Sequence, residues 1–346
     1  MKITIIAIFI LSLFFVKLLI KYAVKLGLQD IPNTRSAHKN IVPKSAGLGF
    51  VGAVFVGQLL FNYENLFHYF FLYAAILIVM LTGLYDDKYD VRPRVKFLFL
   101  IIASLIVIFN GIHIDSLGNY FGYELELPIF IAGIFTLFAI VGFTNALNLM
   151  DGLDGLAGGL SVIMMTMFFA IGLMNHDAFM VSLSVSFIAA VLAFLIFNWN
   201  PAKIFMGDSG SLTLGFVISI LAVKSLAYLS PASVLFIVGL PLIDTFIVVR
   251  RRLQRGHSPF VADKNHIHHF LYKTKLHVRF SVMMLLYIQL ALSIIGYQIK
   301  NTDQFLSLTL FVMIVYIFFN LFDQRYKYRP KNRRAKKQTR INKGNK

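Results

Sequence analysis

Thr82-Gly83-Leu84-Tyr85-Asp86-Asp87-Lys88-Tyr89-Asp90 places three carboxylates at the end of a run, Leu72 to Leu84, that is otherwise almost entirely apolar. At the centre of a bilayer each aspartate costs about 2.5–3.5 kcal/mol, so three together would cost roughly 8–10 kcal/mol. That penalty predicts a membrane-spanning run with its acids at the water boundary. A helix continued past Tyr85 puts Asp86 and Asp90 four residues apart on one face, with Asp87 beside them. Crowded carboxylates raise one another's pKa unless a cation or base neutralises them. An oxygen-only donor set of this kind suits Mg²⁺, which takes one or two protein carboxylates and leaves its other positions to water and phosphate. A solvated acidic loop between two spans is the plainer reading of the same residues.

Composition supports the membrane reading. The 346 residues are 58% hydrophobic and 14% charged, with a mean hydropathy of +0.73, whereas a soluble protein carries about 25% charged residues. Apolar runs of about 16–20 residues recur too often for a signal peptide plus one anchor, and the first, Ile3 to Leu19, leads straight into basic residues without a small-residue cleavage site. It reads as a retained span. The chain contains no cysteine, which excludes disulfides, thiolate metal sites and a cysteine nucleophile.

The predicted fold is an all-α polytopic membrane protein of about eleven spans, near 3–20, 47–62, 67–84, 97–114, 128–145, 159–175, 178–197, 211–227, 231–249, 281–298 and 305–322. Residues 1–322 read as a single transmembrane catalytic domain, and 323–346 as a basic, disordered cytoplasmic tail. With this count, 29 of the 33 Lys and Arg fall in the loops of one side. The positive-inside rule makes that side cytoplasmic, the amino terminus outside and the carboxyl terminus inside. The net charge of +17 therefore reflects topology and attraction to lipid. RNA binding is the weaker reading of the tail, because no folded reader accompanies it.

The chemistry-bearing loops all lie on the cytoplasmic side. Asn145 to Gly159 combines two amides, Asn145 and Asn148, with two carboxylates, Asp151 and Asp154, among four glycines that admit close backbone approach to a ligand. A glycine-rich turn with capping side chains is the alternative. Phe205-Met206-Gly207-Asp208-Ser209-Gly210 opens a span with backbone amides suited to phosphate, and Asp208 also reads as a helix cap. Asn198 stands at a membrane exit. Asp263-Lys264-Asn265-His266-Ile267-His268-His269 offers three histidines beside many cations, suiting an anionic phosphate group as well as zinc. Arg35 and Lys44 belong to the first cytoplasmic loop. Asp244 reads as a neutralising partner of Arg250 or Arg251.

In order, Asp86-Asp87-Lys88-Tyr89-Asp90, Asn145 to Gly155, Phe205 to Gly210 and His266-Ile267-His268-His269 resemble the motifs of the polyprenyl-phosphate N-acetylhexosamine-1-phosphate transferase family. The resemblance covers Asp30 to His269, and the His-Ile-His-His pattern is similar to its N-acetylglucosaminyl branch. Ser45-Ala46 departs from it, since family members often carry a glycine just before the position of Gly47. The resemblance implies transfer of a sugar 1-phosphate, most simply GlcNAc-1-phosphate, from a UDP-N-acetylhexosamine to undecaprenyl phosphate, with release of UMP at the cytoplasmic face of a bacterial inner membrane. It implies Mg²⁺, with Mn²⁺ as a substitute, held by Asp208 and Asp87. It gives catalytic positions to Asp86, Asp87, Asp90 and Asp151. Substrate contacts fall to Arg35, Lys44, Asn145, Asn148, Asp154, Asn198, His266, His268 and His269. Homodimerisation is a family-level expectation, and nucleic acid is not an expected partner. The competing class is a nucleotide-sugar or lipid-linked-sugar transporter, which would put its polar groups near mid-membrane.

Overall fold

The computed structural model describes residues 2–30, 41–254, 256, 266–267 and 277–327, with side chains as far as residue 322. Helix α1 (Lys2–Leu26) leads through a two-strand ribbon, β1 (Gln29–Asp30) and β2 (Val42–Pro43), into α2 (Ala46–Phe61), the short α3 (Tyr63–His68) and α4 (Phe70–Tyr89). Helix α5 (Pro93–Phe109) is followed by an antiparallel hairpin, β3 (Ser116–Tyr120) and β4 (Tyr123–Glu126). Helices α6 (Ile129–Met150), α7 (Leu156–Met174), α8 (Ala178–Asn198) and α9 (Asp208–Ser225) come next. The bent pair α10 (Pro231–Ile237) and α11 (Gly239–Gln254) precedes α12 (Val278–Gln298) and α13 (Gln304–Lys327).

Several starts are written in the sequence. Pro93 and Pro231 open α5 and α10 in the first turn, where a missing N–H costs nothing. Asp177 caps α8 by accepting from the Met180 amide at 2.9 Å. The fold is a helical membrane bundle, as the composition predicts. Seven of these helices are long and apolar enough to cross a membrane, or eight if the bent pair is one span. The eleven predicted from hydropathy exceed this count because α2 and α5 have only 16 and 17 residues, short of the roughly 20 that cross a bilayer upright. Helix α9 interleaves serine and threonine with its apolar residues. Between the predicted spans 97–114 and 128–145 the structure forms the β3–β4 hairpin, whose Tyr and Asn alternate with apolar and acidic residues too briefly to announce strands.

Helix α9 is the bundle's axis. Sixteen of its 18 residues are buried, against α2, α4, α6 and α7. Hydroxyls along its middle are satisfied by the helix itself, as when Thr213 donates to the Ser209 carbonyl at 2.6 Å and Ser219 to that of Gly215 at 2.7 Å. A helix so enclosed fixes the place of its own first residue, Asp208.

The break between α10 and α11 bends the chain by 87°, and Pro241 cannot restore the missing backbone bonds. Gln289 of α12, fully buried, does so. Its amide donates to the Ile237 carbonyl at 2.7 Å and its oxygen accepts from the Leu240 amide at 3.1 Å. In hydrocarbon such groups must find protein partners. Gln289→Leu therefore leaves the Leu240 amide unmatched and the Ile237 carbonyl with the Ser293 hydroxyl at 3.2 Å, and is expected to cost about 1–3 kcal/mol, read as a lowered midpoint of thermal unfolding in detergent.

Candidate active site

The end of α4, the first turn of α5, the end of α6 and the start of α9 meet at one end of the bundle. Helix α4 stays helical past the acids and stops at Asp90, whose backbone takes the left-handed conformation (φ 49°). That turn carries Asp90 into solvent. Asp86 and Asp87 are buried instead, so of the three acids expected here the structure brings the adjacent pair into the cluster and leaves Asp90 outside it.

The two carboxylates serve different partners. Asp86 faces Lys96 of α5, whose ammonium stands 2.7 Å from Asp86 Oδ2 and 2.7 Å from Asp208 Oδ2. The other oxygen of Asp86 accepts from the Val91 amide at 3.0 Å, closing the chain reversal into α5. Asp87 receives the first amides of α9: its Oδ1 accepts from the Asp208 N–H at 2.9 Å, and its Oδ2 from the Ser209 N–H at 3.2 Å and the Ser209 hydroxyl at 2.8 Å. It is an N-cap supplied by another helix, and it faces the positive end of the α9 dipole. Gly207 makes the approach possible. It has φ 72°, and a Cβ there would strike Asp87 and the Ser45 amide. At Gly83 a Cβ would strike the Asp208 carbonyl, so α4 and α9 touch backbone to backbone.

Asp87→Asn turns one acceptor oxygen into a donor aimed at donors. Its expected cost is about 1–3 kcal/mol of stability, checked by thermal unfolding. A secondary loss of turnover should follow through displacement of Asp208.

Asn148, on the last turn of α6, donates to Asp208 Oδ1 at 3.1 Å and to the Ser211 hydroxyl at 2.8 Å. Asn145 lies one turn earlier on α6 and is partly exposed. Asp151 caps the end of that helix. Asp154 pins the loop before α9, accepting on one oxygen from the Asn200 amide group at 2.8 Å and the Ala202 N–H at 3.0 Å. Asn198 is buried with both polar atoms engaged by backbone: it accepts from the Gly155 N–H at 2.9 Å and donates to the Ile204 carbonyl at 2.9 Å. The structure thus places Asp154 and Asn198 where they shape the loop. Lys44 is half-buried beside it, on a strand end stitched to this loop by the bond from the Phe205 amide to the Pro43 carbonyl at 2.8 Å. His266 is buried against Asp244. Arg35, His268, His269 and the tail from 328 lie outside the described residues.

Asp151 has an unusual charge environment. Burial, followed by the carboxylates of Asp208, Asp87 and Asp154, pushes its carboxyl up to about 8. A folded-state pKa above the unfolded one means the folded form holds the proton longer, so this group's stability contribution is present at low pH and lost as pH rises toward 8. Metal-free protein should accordingly lose stability between pH 5 and 8. Asp151→Asn should flatten that slope, measured as unfolding temperature against pH in the presence of a chelator.

Lys96, Ser209 and Ser211 are the residues that motif reading passed over. In the sequence Lys96 is one of many basic loop residues; its signal is a lysine on the first turn of the helix that folds back beside Asp86. Among the described residues no group of three or more His, Cys, Asp or Glu is set to hold a metal ion. What converges is a smaller set, the carboxylates of Asp208 and Asp86 with one ammonium between them, and the Asn148 amide nitrogen donating to Asp208.

Residues 69–226 match the model of glycosyl transferase family 4. The chain is 35% identical over 302 residues to a probable undecaprenyl-phosphate N-acetylglucosaminyl 1-phosphate transferase of Bacillus subtilis (strain 168), covering 86% of this chain and 84% of that protein. It is 31% identical over 329 residues to the undecaprenyl-phosphate alpha-N-acetylglucosaminyl 1-phosphate transferase of Yersinia pestis, covering 90% and 89%. With the like-named protein of Escherichia coli (strain K12) identity is 29% over 357 residues, covering 98% and 95%.

Proposed function

The chain belongs to glycosyl transferase family 4, and from that premise we propose that it transfers N-acetylglucosamine 1-phosphate from UDP-N-acetylglucosamine to undecaprenyl phosphate, releasing UMP. The observation that carries the reading is the convergence of Asp86, Lys96, Asn148 and Asp208 at one end of the bundle. A transporter would hold such groups midway along broken helices.

The chain crosses a bacterial cytoplasmic membrane eleven times, with the site on the cytoplasmic face. The support is the segregation of 29 of 33 Lys and Arg to one set of loops. Short helices such as α2 cross where the bilayer thins locally around them.

The residues fit Mg²⁺. Asp208 offers a carboxylate, a hard oxygen donor, which Asn148 would hold in place by donating to it from its amide nitrogen. The ammonium of Lys96 between Asp86 and Asp208 marks a place where a positive charge is stable. Mg²⁺ needs only one or two carboxylates here, completing its shell with water and phosphate, and Mn²⁺ accepts the same donors. When bound, the ion would neutralise charge on the donor's pyrophosphate.

Lys96 would add a second positive charge against the phosphate oxygens on which negative charge accumulates. The lipid phosphate has a second pKa near 6, so at pH 7 it is largely deprotonated and its attack on the β-phosphorus asks little of a general base. Asp87, with both oxygens committed to α9, would act by holding Asp208 in line. Asp86 would keep Lys96 in place. Asp151 and Asn145 flank the same mouth, and His266 would face the donor's pyrophosphate or sugar together with His268, His269 and Arg35.

The test is UMP release by purified protein supplied with undecaprenyl phosphate, Mg²⁺ and a panel of UDP-N-acetylhexosamines. Release that requires lipid and metal and is fastest with UDP-N-acetylglucosamine supports the reading. Exchange of intact UDP-sugars across liposomes without hydrolysis would overturn it.

A further inference from the structure

Asp244 sits in α11 and is fully shielded from solvent. Its Oδ2 lies 2.6 Å from Nδ1 of His266, and its Oδ1 accepts from the Ile267 N–H at 2.7 Å. His266 and Ile267 are themselves only 3% and 2% exposed. Of the two cations expected as its partners, Arg250 lies over the Phe319 ring at 3.7 Å, and both Asp244 oxygens reach the first two residues of the His266-Ile267-His268-His269 motif.

We propose that Asp244 is the positioning residue of this motif. It holds the backbone by the Ile267 amide and fixes the His266 ring by keeping a proton on Nδ1. A carboxylate that takes an amide hydrogen on one oxygen is an acceptor on the other as well, so the ring nitrogen facing it is the donor. Nε2 is then the atom with which the imidazole meets anything else: an acceptor in the neutral ring, a donor in the charged one. A buried carboxylate with two fitted donors holds one ring orientation, the arrangement by which oriented histidines are set elsewhere. The inference rests on the reading that the motif faces the donor substrate, and it goes further by assigning the residue that sets its geometry.

The experiment uses the full chain in detergent with ¹⁵N-labelled imidazoles, the His266 signals being identified by their loss in His266→Ala. Wild-type protein should show His266 protonated on Nδ1. Asp244→Asn still offers an oxygen to the Ile267 amide but turns an NH₂ toward the ring, so the neutral ring should carry its proton on Nε2. In that variant kcat/KM for UDP-N-acetylglucosamine should fall about 10–100-fold, with the unfolding temperature changed far less than in Asp244→Ala. Wild-type protein with its His266 proton on Nε2 alone would overturn the proposal without need of any variant. So would an inverted tautomer with kcat/KM within about twofold of wild type while His266→Ala loses tenfold or more, an outcome that leaves the transferase reading standing. Full activity in His266→Ala would remove the motif's role and the proposal with it. Absence of UMP release from wild type, with the Nδ1 proton in place, would strike only the proposed reaction.

Discussion

Asp208→Asn is expected to lower UMP release by at least about 10³-fold while leaving the bundle folded. The side chain carries the negative charge that meets Lys96 at 2.7 Å and Asn148 at 3.1 Å, so the amide replacement weakens the place where a divalent ion and the pyrophosphate would be brought together. Losses of 10²–10³ follow removal of a single preorganised electrostatic group, and charge stabilisation in phosphoryl transfer reaches 10³–10⁵. The fold should survive because Asp87 caps α9 through the backbone amide of Asp208, not its side chain. Steady-state UMP release at several Mg²⁺ concentrations, beside a melting curve, checks both halves. Turnover within tenfold of wild type would take Asp208 out of the ion's shell.

The second large effect is expected at Lys96. Lys96→Met keeps much of the apolar stem but removes the ammonium that bridges Asp86 and Asp208, leaving two carboxylates facing one another. Turnover should drop about 10²–10³-fold. The stability loss should be modest, since the side chains of Lys96, Asp86 and Asp208 retain 24%, 10% and 26% exposure and water screens part of the repulsion. Adding Mg²⁺ should raise the melting temperature of Lys96→Met more than that of wild type, because the ion then supplies the missing charge. Equal shifts would mean that ion and ammonium do not share the carboxylates.

The class of fold was legible because bilayer energetics write themselves into long apolar runs, and because motif order survives without any knowledge of packing. Asp208 was legible for the second reason. What the sequence withheld was who meets whom. Asp86 and Asp87 look equivalent on paper, but the 100° step of a helix sends one toward α5 and the other toward α9. Asn198 and Asp154 are polar residues in the right loops, yet Asn198 spends both polar atoms on backbone groups and Asp154 one oxygen on the Asn200 side chain and the Ala202 N–H, partners that hydropathy cannot show. Gln289 reads as an ordinary polar residue in a span until the break it mends is seen. Lys96 was hidden by the very excess of basic residues that revealed the topology.

The trans-helix cap also dictates an order of assembly. Asp86 and Lys96 are ten residues apart and belong to one helical hairpin, so they can pair as soon as α4 and α5 have emerged. Asp87 must wait for Asp208 and Ser209, more than 120 residues later in the chain. Until α9 threads between α2, α4, α6 and α7, that carboxylate has no donors and the half-built bundle has no axis. Synthesis halted before Asp208 therefore yields a hairpin with an unsatisfied acid at its tip, which favours keeping that end in water rather than lipid. The chemistry and the completion of the fold arrive together, with the same helix.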